Sequence, residues 1–188
     1  ASPREGSVGR IVMENIVAGG FEGGIWPVNP KYDEVAGLRC YHGATELPAA
    51  PDLGVIVTPP TTVPGIVADL GARGCRAAVV ITAGLTRENG LRQAMLDAAK
   101  PYLFRIIGPN TVGLMVPPAT LNAGFAHMAA EPGNIALLSQ SGAIATSLID
   151  WAADNGVGFS HIVSLGDMAD VDVGDWLDML AGDAKARA

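Results

Sequence analysis

The chain has 188 residues, 49% of them hydrophobic, enough apolar content for one or two packed cores and too much for a disordered segment. With 12 Lys and Arg against 19 Asp and Glu, the formal net charge is −7 and no basic run occurs, which excludes a nucleic-acid or anionic-membrane surface as the main partner and leaves any phosphate contact local. The longest apolar stretches fall short of the roughly 20 residues that span a bilayer, and no charged segment leading into an apolar one opens the chain, so a cytoplasmic protein is expected.

The chain opens with ASPREGSVG, a Ser-, Pro- and Gly-rich turn, and runs into RIVMENIVAGG, an amphipathic pattern closed by glycines. Such a turn at the start of a helix aims backbone N–H groups and the positive end of the helix dipole at an anion. Next, GGIWPVN (23–29) reads as a short strand ending at Pro30, followed by turn-rich sequence to Pro51. DLGVIVT (52–58) reads as a buried strand stopped by Pro59 and Pro60, and 61–74 as a helix with Thr61 or Thr62 as N-cap and Gly74 past its end. RAAVVIT (76–82) is a strand, 86–100 a helix, and YLFRIIG (102–108) a strand closed by Gly108, Pro109 and Asn110. These apolar runs do not alternate, as expected of parallel strands covered on both faces. With helices between them, the pattern predicts a Rossmann-like, doubly wound α/β sheet.

Residues 111–133 carry Pro-Pro and Pro-Gly breaks without helical period and read as extended; the first domain is drawn at 1–116 and a linker at 117–133. A second α/β unit of flavodoxin type then begins at 134: strand 134–140, helix 141–156, strand 157–166 and helix 170–183. Two strands are too few for a sheet with its own core. At the other end, the phosphate loop of a nucleotide-binding sheet normally follows a central strand. The sequence is therefore expected to be a piece, starting one strand into its first sheet and stopping early in its second.

Five strand ends fall on the carboxyl edge of the first sheet, where such sheets bind ligands: ASPREGSVG, VNPKY, VTPP, ITAG and GPN. A dinucleotide fold that binds NAD ends its second strand in an acidic residue for the ribose diol. Here that tip is Val28-Asn29-Pro30-Lys31, and a lysine suits a ribose phosphate, found both in NADP and in coenzyme A; an ordinary solvated turn lysine is the alternative. In the second unit, LLSQSGAIATSL breaks a strand at Ser139-Gln140-Ser141-Gly142 and leaves the N–H groups of Gly142, Ala143 and Ile144 at a helix start. This is a second candidate anion site, or a plain turn with Ser141 as N-cap. A nucleophile elbow requires GxSxG, and Ser139 stands where the first glycine should. The order Ser141, Asp150, His161 imitates a triad, but the three lie too close in sequence for separate loops. Cys40 and Cys75 have no metal or redox spacing and read as reduced structural thiols.

In order, ASPREGSVG, PVNPKYDEVAGLRCY, VIVTPP, VVITAG, IIGPNTVGL and GNIALLSQSGAIATSLIDWAADNGVGFSHIVSLGDMADVD resemble, over essentially the whole chain, the CoA-binding part of the NDP-forming acyl-CoA synthetases. That superfamily includes succinyl-CoA synthetase α subunits and ADP-forming acetyl-CoA synthetases. The resemblance implies that Ser2, Pro3, Gly6, Ser7 and Gly9 hold the CoA pyrophosphate, and that Asn29, Pro30 and Lys31 receive the adenosine end with its 3′-phosphate. It further implies that Thr58, Pro59 and Pro60 line adenine and ribose, Ile81, Thr82 and Ala83 border the pantetheine, and Pro109 and Asn110 lie near the thiol. Ser141, Gly142 and Ala143 would form the helix start that receives a phosphoryl group or acyl phosphate. Ala83 follows Thr82 where synthetases for succinate often carry an acidic residue, so the acyl substrate stays open.

The family reaction joins an acid, CoA and a nucleoside triphosphate through an acyl phosphate and a phosphohistidine. None of His42, His127 and His161 matches the family's histidine, which is expected beyond Ala188. The resemblance implies ATP or ADP with Mg, and an ATP-grasp domain or subunit, in the complete enzyme; this chain alone would bind CoA or acyl-CoA without turnover, in an oligomer. KPYLFRIIGPNTVGLMVP also resembles the synthetase-like half of proteins that carry a GNAT-type acetyltransferase. A non-catalytic module sensing CoA or acetyl-CoA is therefore the alternative function, and an NADP-binding oxidoreductase domain a more distant one.

Overall fold

Three of the apolar runs pair in parallel, as their lack of alternation requires. In the computed structural model, which describes all 188 residues, β3 (Gly54–Ile56), β4 (Ala77–Val80) and β5 (Arg105–Ile107) form a sheet in sequence order, with Ile56 opposite Val80 and Val79 opposite Ile107. Successive side chains of β4 enter different cores. Ala78 and Val80 pack with Val63, Val67 and Leu70 of α2 (Val63–Ala72) and with Met95 and Ala99 of α3 (Leu91–Ala99). Val79 and Ile81 pack on the opposite face with Val12 and Ile16 of α1 (Val8–Ala18). Ala78, Val79 and Val80 have no exposed surface, and each buried valine contributes about 2 kcal/mol of transfer free energy. The expected α/β sheet with helices on both faces is present.

Several boundaries differ, each for a local reason. The strand expected at 23–29 reduces to a single parallel bridge between Val28 and Tyr41. Pro27 and Pro30 cannot donate to a ladder, and the Val28 carbonyl accepts instead from the backbone nitrogen of Ala1 at 3.0 Å. The following turn-rich segment forms a small antiparallel pair, β1 (Glu34–Val35) with β2 (Leu38–Arg39). The helix expected from 86 starts at Leu91, because Gly90 sits at φ +73 and Asn89 closes a turn by accepting from the N–H groups of Thr86 and Leu91. Thr62 stands at the N-cap of α2 without capping it; its hydroxyl donates to Thr58 Oγ1 at 2.8 Å and lies 2.7 Å from the Pro59 carbonyl.

The larger correction concerns 111–133. This stretch is extended, as read, but it is not a free linker. β6 (Gly113–Val116) and β7 (Leu121–Gly124) form an antiparallel hairpin, and β6 also pairs antiparallel with β9 (Phe159–Ser164). β8 (Pro132–Ser139) lies parallel to β9, giving a four-stranded mixed sheet in the order β7-β6-β9-β8. The hairpin supplies the strands that the second unit was expected to lack. Met115, Phe159 and Ile162 of this sheet share a core with Ile149 and Ala152 of α4 (Gly142–Asn155). Its other face brings Leu114, Ala123, Val163 and Leu165 onto Val79, Ile107 and α1. α5 (Val173–Ala181) follows, with Asp172 and Asp175 forming a capping box. The same segment is tied back to the first sheet: Val171 N–H donates to the Ile106 carbonyl at 3.1 Å, and Asp170 accepts from Ile106 N–H and from Arg105.

Candidate functional site

The opening loop is ordered by its own polar groups. Ser2 Oγ accepts from Arg4 N–H at 3.2 Å, and Ser7 donates through both N–H and Oγ to the Arg4 carbonyl, the hydroxyl at 2.6 Å. Ser7 is thus the residue ahead of α1 without being its side-chain cap. The N–H groups of Val8 and Gly9 keep no acceptor within the chain, the arrangement that suits an anion at a helix start. Gly6 takes φ +70, and Gly9 is buried where an added Cβ would sit 3.4 Å from Ser2 Cβ.

Asn29 joins this loop to the neighbouring tip. Its amide donates to the Ala1 carbonyl at 2.7 Å while its Oδ1 accepts from Lys31 N–H at 2.9 Å. The exposed Lys31 side chain has no partner in the chain, which leaves its ammonium available. Between the next strand ends, Thr82 Oγ1 donates to the Thr58 carbonyl at 2.8 Å. Asn110 N–H in turn donates to the Thr82 carbonyl at 3.0 Å.

At the second helix start, Ser141 does cap. Its Oγ accepts from Ile144 N–H at 3.4 Å, so Ile144 is not a free donor as expected; Gly142 and Ala143 are. Gly142 packs directly under the Val112 side chain, where a Cβ has no room. Thr111, 3% exposed, holds the adjoining segment: its hydroxyl donates to the Ser164 carbonyl and accepts from Gly113 N–H at 3.0 Å.

One open cleft of about 510 Å³ joins these pieces. Of the residues named from sequence, Thr58, Ile81, Thr82, Ala83, Asn110 and Gly142 line it. Ser7, Gly9, Pro59, Pro109, Ser141 and Ala143 are chain neighbours of lining residues without lining it themselves, and Ser2, Pro3, Gly6, Asn29, Pro30, Lys31 and Pro60 lie outside its wall. The wall also contains Val8, Val57, Thr111, Val112, Phe125 and Gln140, none of which was assigned to the site from sequence. Val8, Val57, Thr111 and Gln140 adjoin residues that were named, so their signal was present. Val112 and Phe125 come from the hairpin segment read as unpaired.

No histidine lines this cleft. His42 faces Asp33 at 3.2 Å, His127 faces Asp150 at 2.6 Å, and buried His161 lies 3.6 Å from Asp183. Asp150 and His161 therefore serve different partners and build no triad with Ser141. Burial raises both thiols, Cys40 and Cys75, above the ordinary cysteine range. No group of three or more His, Cys, Asp or Glu side chains is placed to hold a metal ion, and no helix is long and apolar enough to cross a membrane.

A parallel sheet with its strand-end loops and an anion-ready helix start is the architecture on which α/β proteins hold nucleotides, and comparison with known families gives the particular kind. Residues 1–117 match the CoA binding domain and residues 132–188 the succinyl-CoA ligase like flavodoxin domain. The chain belongs to the CoA binding domain family. It is 42% identical over 188 residues to acetate–CoA ligase (ADP-forming) I of Archaeoglobus fulgidus, with 97% of this chain matching 27% of that protein. It is 36% identical to the α subunit of acetate–CoA ligase (ADP-forming) I of Pyrococcus furiosus, all of this chain matching 42% of the subunit. Among solved structures, it resembles the dinucleotide-forming acetyl-coenzyme A synthetase 1 of Candidatus Korarchaeum cryptofilum in complex with phosphate and ADP. The TM-score is 0.93 at 37% identity, over 99% of this chain and 40% of that one. The chain thus spans between a quarter and a half of the length of these relatives.

Proposed function

We propose that this chain is the CoA-binding part of an ADP-forming acid–CoA ligase, holding CoA on the strand-end loops of the first sheet with its reactive end turned toward the start of α4. The observation that carries this reading is the shared cleft: Thr58, Thr82, Ala83 and Asn110 from the first sheet line it together with Gly142 from α4. A ligand held on the first set extends toward the free N–H groups of the second, where a phosphoryl or acyl phosphate oxygen would be stabilised by fixed donors and a helix dipole.

The loop before α1 has the free donors a pyrophosphate requires, and Lys31 has an unengaged ammonium for the 3′-phosphate of the adenosine end. In the ligase reaction, the acid becomes an acyl phosphate and the CoA thiol displaces phosphate from it. This chain's part is to bind and orient the thiol and to steady the phosphate. Phosphorylation at the expense of ATP, through a histidine outside these residues and an ATP-grasp domain or subunit with Mg, completes the cycle.

The test is calorimetric titration with CoA, dephospho-CoA and NADPH in parallel. CoA is expected to bind, and loss of its 3′-phosphate to weaken binding about tenfold, the worth of one charge-assisted contact. Binding of NADPH with none of CoA would overturn the reading.

A further inference from the structure

Asn110 stands at the cleft with φ +60, a left-handed conformation that asparagine tolerates better than most residues. Its side-chain amide nitrogen donates to Asp167 Oδ1 at 3.2 Å. Asp167 grips the same turn a second time, its N–H donating to the Pro109 carbonyl at 2.9 Å. The preceding Gly166, at φ +59, comes so close that a Cβ there would overlap the carbonyl oxygens of Pro109 and Asn110. The turn after β9 therefore lies flat against the turn after β5.

Chemistry fixes the orientation of Asn110. A carboxylate only accepts, so the amide nitrogen must face Asp167 and Oδ1 must point away from it, and Oδ1 has no partner in the chain. Without Asp167 the amide is free to turn over and present donors instead.

We propose that Asp167 is a positioning residue that holds Asn110 with its carbonyl oxygen free to accept an N–H of the pantetheine arm of CoA. This rests on the CoA-binding reading above and adds to the site a second contribution from the second unit, beside that of Gly142. Asp167 touches no ligand; it acts through Asn110.

Calorimetry on the full chain tests this with two ligands, CoA and adenosine 3′,5′-bisphosphate, which keeps the nucleotide end and lacks the arm. Asp167→Ala is expected to weaken CoA about tenfold, the scale of one lost hydrogen bond, and to leave the bisphosphate unchanged. Asp167→Asn, which can still accept through its own oxygen, is expected to restore CoA binding to within about threefold of wild type. In an Asn110→Gly background, which removes the amide without straining the left-handed backbone, Asp167→Ala should add nothing. Should Asp167→Ala fail to fold, Asn110→Gly, which accepts the left-handed backbone and spares the hold of Asp167 on Pro109, must give the same arm-selective loss. Equal weakening of both ligands, an unaltered CoA affinity, or additive losses in the double variant would overturn the inference while the CoA reading stands. Absence of CoA binding by the wild type would overturn both.

Discussion

The starts of α1 and α4 both place a serine before a helix whose first turn contains glycine, yet they use the hydroxyl differently. Ser7 Oγ turns back to the Arg4 carbonyl and leaves α1 uncapped, whereas Ser141 Oγ accepts from Ile144 N–H and caps α4. The first helix start is held by bonds inside its own loop and by Asn29. The second is held from outside, by Val112 packed over Gly142. A third start makes the contrast sharper: at α5, Asp172 accepts from the N–H groups of Gly174 and Asp175, and a carboxylate already occupies the place of an anion. What decides whether a helix start can receive a ligand is how many of its N–H groups the neighbouring polar side chain takes: none at α1, only that of Ile144 at α4, and those of Gly174 and Asp175 at α5.

Substitutions that should separate the first two starts fall in a clear order. Gly142→Ala forces a methyl group into the Val112 side chain and is expected to cost about 1–3 kcal/mol, the range for overpacking. Gly9→Ala meets Ser2 at 3.4 Å, an ordinary contact, and should cost far less; thermal unfolding of the two variants measures the difference. Comparable losses would show that α4 is no more confined than α1. Ser141→Ala should cost about 1 kcal/mol through loss of a cap, and Ser7→Ala about half that, because it removes only a loop hydrogen bond. Urea titrations resolve this pair. On the ligand side, Lys31→Ala should abolish the difference between CoA and dephospho-CoA in calorimetry while leaving the fold intact.

The smallest effect concerns α5. The Asp172 N–H, and after it Arg105, hold the Asp175 carboxyl below its ordinary value of 3.8. A depressed carboxylate stabilises the fold above its unfolded value and loses that contribution as pH falls through the folded one. The difference in Tm between wild type and Asp175→Asn should therefore be full near neutral pH and close as pH drops below 3.8. A difference that persists in acid would mean that the hydrogen bonds, not the charge, carry the cap.

The parallel sheet was legible because buried parallel strands such as VIVT and AVVIT write themselves as unbroken apolar runs. Four of the strand-end candidates, Thr58, Thr82, Ala83 and Asn110, follow from where those runs stop. The hairpin of β6 and β7 was not legible: Pro117 and Pro118 mark only a break, and pairing with β9 is a contact across more than forty residues that no local pattern records. Val112 and Phe125 were missed with it. Nor could sequence assign the two serine hydroxyls, since the choice between a cap and a loop carbonyl depends on backbone angles a few residues away. Asp167 was hidden for a similar reason, its role being set by the meeting of two turns from different sheets.

The central claim is that one ligand spans both helix starts through a single cleft. Backbone amide NMR during titration with CoA tests it most directly, following Gly9 at the start of α1 and Gly142 at the start of α4. The account predicts that both resonances move with the same midpoint. Movement of Gly9 with Gly142 unchanged at saturation would contradict it, because CoA would then occupy the first sheet without reaching the second.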